Sequence, residues 1–114
     1  MRQMRHWLSP SLILLVVCLI PLMLAAKGDA EAGKAIYAKR CAACHAKEGE
    51  GKPAIAKMLK VELRHLGSKE VQARSDDEIR KLLTEGKGKK KPVKGLSNED
   101  MVNVIAYVRT LAKK

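Results

Sequence analysis

At 114 residues and a formal net charge of +11, the chain has room for one domain. It has no Phe, and its single Trp, Trp7, lies near the N-terminus, so Tyr37 and Tyr107 are the aromatics of everything that follows. A multi-domain enzyme, a large aromatic core and a base-stacking platform for nucleic acid are thereby excluded.

Residues 1–26 read as an export signal. Arg2 and Arg5 make a basic start, Leu12–Ala26 is an apolar run broken by Pro21, and small residues follow at Ala25 and Ala26. The run is shorter than the roughly 20 residues that a spanning helix needs. Cleavage is placed after Ala26, although Leu24 is large for the −3 position. Gly28-Asp29-Ala30 fits the small-x-small rule better, but a cut there would remove a helix cap. An uncleaved leader would act as a membrane anchor instead. Cys18 leaves with the leader, so residues 27–114 form a domain with two cysteines. Loss of Arg2 and Arg5 lowers the formal charge to +9. In a periplasmic or otherwise exported protein, that charge points to acidic protein partners rather than nucleic acid, and to a membrane only if the leader stays.

The first mature helix is predicted to begin at Asp29, an N-cap with Glu31 in the first turn. It runs through Gly33, Ile36 and Tyr37 to deliver Cys41 and Cys44. Gly33 and Tyr37 share a face at i, i+4. Glycine inside a helix costs about 1 kcal/mol against alanine, a cost that the close approach of a second helix would offset.

Cys41-Ala42-Ala43-Cys44-His45 is the stretch around which the rest is organised. Two thiols at this spacing can each form a thioether to a haem vinyl group, and the adjacent histidine can ligate the iron. C-x-x-C-H is the attachment pattern of c-type haem. A thioredoxin-like dithiol would need a βαβ setting, and no convincing strand is present. A structural zinc site would need a second ligand pair, for which only Cys18 and two other histidines remain. A buried porphyrin would also supply the apolar volume that this aromatic-poor chain lacks.

Residues 46–53 read as a loop closed by Pro53. Ala54–Leu63 is a short apolar segment with Ile55, Met58 and Leu59 at helical spacing, and Gly67-Ser68 is a turn before Lys69–Arg74. Ser75-Asp76-Asp77-Glu78 is a capping box for a helix with Ile79, Leu82 and Leu83 inward, stopping near Gly86. The stretch from Lys87 to Gly95 is a basic loop without an acid. Ser97 and Asp100 cap a last helix whose stripe is Met101, Val104, Ile105, Val108 and Leu111. The fold is all-α.

From Asp29 to Lys114 the chain resembles the small single-haem class I cytochromes c. The resemblance rests on Gly33, Tyr37, Cys41-Ala42-Ala43-Cys44-His45, Pro53, Gly86-Lys87-Gly88-Lys89, Leu96-Ser97 and Ala106-Tyr107-Val108-Arg109 taken in order. It implies a monomeric globule of three to five helices around one covalent haem c, its end helices crossing near Gly33 and Tyr107. It implies Cys41 and Cys44 as tethers, His45 as proximal iron ligand, and the Pro53 carbonyl as acceptor of a hydrogen bond from the His45 Nδ1–H, which would orient the ring. The implied role is electron carrier rather than enzyme, with at most weak peroxidase-like activity.

One departure from the family concerns the second axial ligand, a methionine after Gly-Lys-Gly-Lys and close to a proline. Counting forward from Gly86 places Lys90 there, and counting back from Pro92 places Lys91. Met58 lies on an apolar stripe and is expected to pack in the core, and Met101 faces inward on the last helix. His65 could supply a nitrogen ligand, although such a residue is more often a solvated or core histidine. The resemblance makes Lys90, at the usual methionine position, the candidate sixth ligand. Lys87, Lys89, Lys91 and Lys94 would rim the haem and steer acidic redox partners, unless they merely solvate the loop. The competing readings are a haem protein with an open distal site, binding NO or CO or reacting with peroxide, and an assembly subunit with a structural haem.

Overall fold

The computed structural model describes residues 28–113. The expected leader and its cleavage site lie outside the described residues. Six helical segments occur among them: α1 (Ala30–Arg40), α2 (Ala42–His45), α3 (Pro53–Leu59), α4 (Lys69–Gln72), α5 (Asp76–Glu85) and α6 (Asn98–Thr110). Because α2 and α4 are single turns of four residues, the longer helices fall within the expected three to five. Among the described residues no helix is long and apolar enough to cross a membrane.

The helix starts follow from local side-chain chemistry. Asp29 caps α1 by accepting from the backbone N–H groups of Glu31 and Ala32. Ser68 caps α4 through the Val71 N–H. Reciprocal capping boxes open α5, with Ser75 and Glu78, and α6, with Ser97 and Asp100. Each satisfies N–H groups that a helix start leaves without partners.

The core is the crossing of α1 and α6. Met101, Val104, Ile105 and Val108 of α6 are buried, together with Tyr37 of α1. α1 contributes little apolar surface; its buried residues are Gly33 and Tyr37. What it offers is proximity, because a Cβ on Gly33 would lie 1.9 Å from the Asn103 carbonyl oxygen. The Asp29 N–H donates to Asn103 Oδ1 at 2.9 Å, so one residue of α6 anchors the start of α1. The Tyr37 and Tyr107 rings meet at 5.2 Å between centroids, tilted by 56°. That spacing is favourable for an aromatic pair.

The remaining segments wrap this crossing and stay half-buried. Ile79, Leu82 and Leu83 of α5 are partly exposed rather than buried. Arg109 of α6 ties α4 and α5 to the core. Its guanidinium donates to the carbonyls of Gln72 and Arg74 at 2.9 and 2.7 Å, and to Asp76 Oδ1 at 2.6 and 3.2 Å. Gln72 reciprocates by donating to the Leu66 and Val108 carbonyls.

One sequence expectation is overturned here. Met58 is 68% exposed and Leu59 40% exposed, so neither is a core residue. The reason is the shortness of α3. It ends at Lys60 in the left-handed conformation, φ 53°, ψ 47°, and two turns present only Ile55 and Ala56 to the rest of the molecule.

Candidate haem site

α1 does not run unbroken through the two cysteines. Cys41, at φ −121°, ends it and serves as N-cap of the one-turn α2. The Cys41 carbonyl accepts from the N–H groups of both Cys44 and His45, at 3.2 and 2.9 Å. That single turn sets the cysteines at i, i+3 on one face of the helix. Both are half-buried with free thiols. Burial raises the Cys41 pKa, with Arg40 opposing and Cys44 adding to the rise.

The loop after α2 folds back onto it. The Lys52 N–H donates to the Cys44 carbonyl at 2.9 Å, and the Gly51 N–H to the His45 carbonyl at 2.8 Å. Carbonyls left unpaired by the end of so short a helix thereby gain partners. His45 is held by its backbone on both sides, with Nδ1 buried and without a hydrogen-bond partner among the described residues. The bond expected from it to the Pro53 carbonyl is not made in this structure. Pro53 is the first residue of α3, where a carbonyl points along the helix axis toward the N–H four residues on. Burial lowers the His45 pKa, and the Lys90 charge lowers it further. Both influences favour the neutral imidazole, the form that binds a metal.

Ala46 follows with φ 64° and ψ 173°, a region open to glycine and costing other residues on the order of 1–3 kcal/mol. Its carbonyl accepts the hydroxyl of Tyr37 at 2.6 Å, in a buried hydrogen bond. Burial is the main reason that the Tyr37 pKa is pushed up to about 12, with Cys41, Tyr107 and Glu50 adding to it and the Gly49 N–H opposing.

The basic loop is built rather than loose. Lys87 and Lys90 exchange both backbone hydrogen bonds, at 2.9 and 3.0 Å, around Gly88 and Lys89. Gly88 has φ 57°, whereas Lys89 is not among the positive-φ residues. Glycine at the first central position is the signature of a type II′ hairpin turn. Gly86 brings this hairpin against the end of α5, since a Cβ on it would lie 2.4 Å from the Lys90 carbonyl oxygen. The Val93 N–H donates to the Leu83 carbonyl at 2.8 Å, and the Arg40 guanidinium donates to the Lys94 carbonyl. Lys90 is thus fixed in its backbone and close enough to His45 for its charge to act there. Lys90 is exposed, as are Lys87, Lys89, Lys91 and Lys94.

The other sequence candidates separate. Met101 is buried in the α1–α6 core. His65 is half-buried, and its Nδ1 accepts the Gly67 N–H at 2.9 Å, a turn-stabilising role. Sequence reading missed Tyr37 as a partner of the residue after His45, and Arg109 as a clamp. A phenol nine residues before Ala46 carries no signal of that contact in the sequence. Ala46 itself, a non-glycine at a tight exit from a one-turn helix, becomes visible once its φ is known.

The order of these parts along the chain is that of a known family: residues 30–112 match the family model of cytochrome c. The chain belongs to the cytochrome c family. It is 33% identical over 90 residues to cytochrome c-554(547) of Halothiobacillus neapolitanus, covering 74% of this chain and 98% of that protein. Among solved structures, the KustC0563 c-type cytochrome superposes with a TM-score of 0.61 at 27% identity, over 71% of this chain and 98% of that one. Membership carries covalently bound haem c with its iron, and family relatives are typically haem electron carriers, generally exported. The site fits that group: two unpaired thiols share a face, and the adjacent imidazole is half-buried, with its Nδ1 enclosed and its pKa lowered by burial and by the Lys90 charge.

Proposed function

We propose that this cytochrome c is an exported one-electron carrier. Cys41 and Cys44 would tether the haem, and His45 and Lys90 would be the residues that ligate its iron. When bound, the haem supplies a one-electron Fe(II)/Fe(III) couple. The chain's own residues would hold the ring, and burial and the Lys90 charge favour the neutral imidazole. The observation that carries the reading is the single turn α2, which sets two free thiols beside a half-buried histidine whose Nδ1 is enclosed. A hairpin pinned at both ends supports Lys90, because it brings that lysine's charge to bear on His45.

The exposed Lys87, Lys89, Lys91 and Lys94 make this loop the docking rim for acidic redox proteins, with the chain acting as a monomer. Export follows from residues 1–26. A second reading draws on the same loop: with Met101 in the core and no methionine between Gly86 and Gly95, an unligated distal side would bind NO or CO, or react with peroxide.

Acid–acetone extraction after denaturation tests the attachment. Haem should remain with the wild-type polypeptide and extract freely when Cys41→Ser and Cys44→Ser are combined. Equal extraction from both proteins would refute thioether attachment.

A further inference from the structure

The residue after His45 has a backbone that its side chain resists. Ala46 adopts φ 64° and ψ 173°, where glycine is at ease and an L side chain is not. Such a conformation persists only where neighbouring structure imposes it. Here the neighbour is a buried phenol, since the Tyr37 hydroxyl donates to the Ala46 carbonyl at 2.6 Å. A longer contact of 3.4 Å from the Gly49 N–H falls on the same oxygen. Tyr37 is itself immobilised, 2% exposed and packed on Tyr107 across the helix crossing. Its own carbonyl accepts the Cys41 N–H at 2.9 Å. One side chain therefore connects the rigid α1–α6 crossing to the peptide that leaves His45.

We infer that Tyr37 is a positioning residue for His45: its hydroxyl holds the strained Ala46 peptide and thereby sets the direction of the imidazole ring. The inference rests on the reading of His45 as the iron ligand. Without the hydroxyl, strain at Ala46 is free to relax, and the turn joined to His45 by one peptide bond moves with it. With glycine at position 46 there is no strain to relax, and the hydroxyl loses this role.

The test uses haem-loaded protein carrying Tyr37→Phe, Ala46→Gly or both. Phenylalanine keeps the ring packing and deletes only the hydroxyl. The readout is the paramagnetic shifts of the haem methyl protons in the ferric protein, which follow the orientation of the axial imidazole plane. Tyr37→Phe should displace these resonances, Ala46→Gly should leave them in place, and the double variant should return them toward the wild-type positions. Ala46→Gly alone should raise the denaturation midpoint. Unchanged resonances in Tyr37→Phe, or an equal displacement with and without Ala46→Gly, would overturn the positioning role. If Tyr37→Phe does not fold, Ala46→Gly decides, because an unraised midpoint removes the strain on which the role depends. A loaded His45→Gly protein separates the two readings. A wild-type spectrum would remove His45 as ligand, whereas an altered spectrum beside methyl shifts insensitive to Tyr37 would remove only the positioning.

Discussion

Gly33 of α1 lies against the backbone of Asn103 of α6, so close that a Cβ at position 33 would stand 1.9 Å from the Asn103 carbonyl oxygen and 3.0 Å from the Tyr107 Cβ. The nearest obstacle is backbone, which cannot rotate away as a side chain could. Gly33→Ala should therefore separate the two helices despite alanine's better helix propensity. Overpacking typically costs about 1–3 kcal/mol, and a backbone clash places this variant at or above the upper end. An unchanged denaturation midpoint would show that the crossing does not depend on Gly33.

Arg109 is the tie between the core and the segments that wrap it. Arg109→Ala removes donors from the Gln72 and Arg74 carbonyls as well as from Asp76. Hydrogen bonds from a charged group contribute roughly 1.5–3 kcal/mol each, and the partial exposure of this side chain brings the expected total loss to about 2–4 kcal/mol. Asp76→Ala should cost no more than about 1 kcal/mol, because its side chain is 65% exposed and solvent screens the pair. Arg109→Lys should recover less than half, since one ammonium cannot reproduce the planar fork. Chemical denaturation of the three variants checks the ordering.

The buried phenol sets a pH dependence at the alkaline end. The folded-state pKa of Tyr37 is raised from 10.0 to about 12. Between these values the unfolded chain has released the proton that the folded chain retains. The resulting stabilisation is fully present below pH 10 and is lost as pH rises through about 12, at no more than about 1.4 kcal/mol per pH unit for one proton. Stability measured from about pH 9 to about pH 12 should fall more steeply in wild type than in Tyr37→Phe, on the order of one proton's difference in slope. Parallel curves would contradict a buried neutral phenol.

The sixth ligand is tested by spectroscopy. An amine binds iron only after losing its proton, for which iron(III) competes. A nitrogen ligand should give no methionine-to-iron(III) charge-transfer band, and a reduction potential below that of Met/His cytochromes, the pairing that raises it. Lys90→Ala should convert a low-spin ferric spectrum to a partly high-spin one, whereas Lys91→Ala should change it less. Equal and negligible effects would favour the open distal site. A sulfur charge-transfer band would point to methionine, with Met58 the exposed candidate.

The chain alone determined whatever depends on near neighbours. Capping residues at Asp29, Ser75 and Ser97 specify helix starts because their side chains reach N–H groups two or three positions on. The inward stripe of α6 is legible because periodicity records burial, and the Cys41–His45 pattern because attachment chemistry needs that spacing. Gly33 could be singled out as costly in a helix, and its partner region was named through family resemblance. Tertiary structure decided the rest, because those interactions join residues far apart in sequence. Asn103 reaches Asp29, and Arg109 gathers Gln72, Arg74 and Asp76, contacts that no local pattern encodes. Met58 followed the apolar stripe in sequence and is nevertheless exposed, because a two-turn helix has only one covered side and the packing around it selects which residues use it. Ala46 carries no sequence mark of its strained backbone; that conformation exists because the chain must turn out of α2 beneath a phenol fixed by the helix crossing.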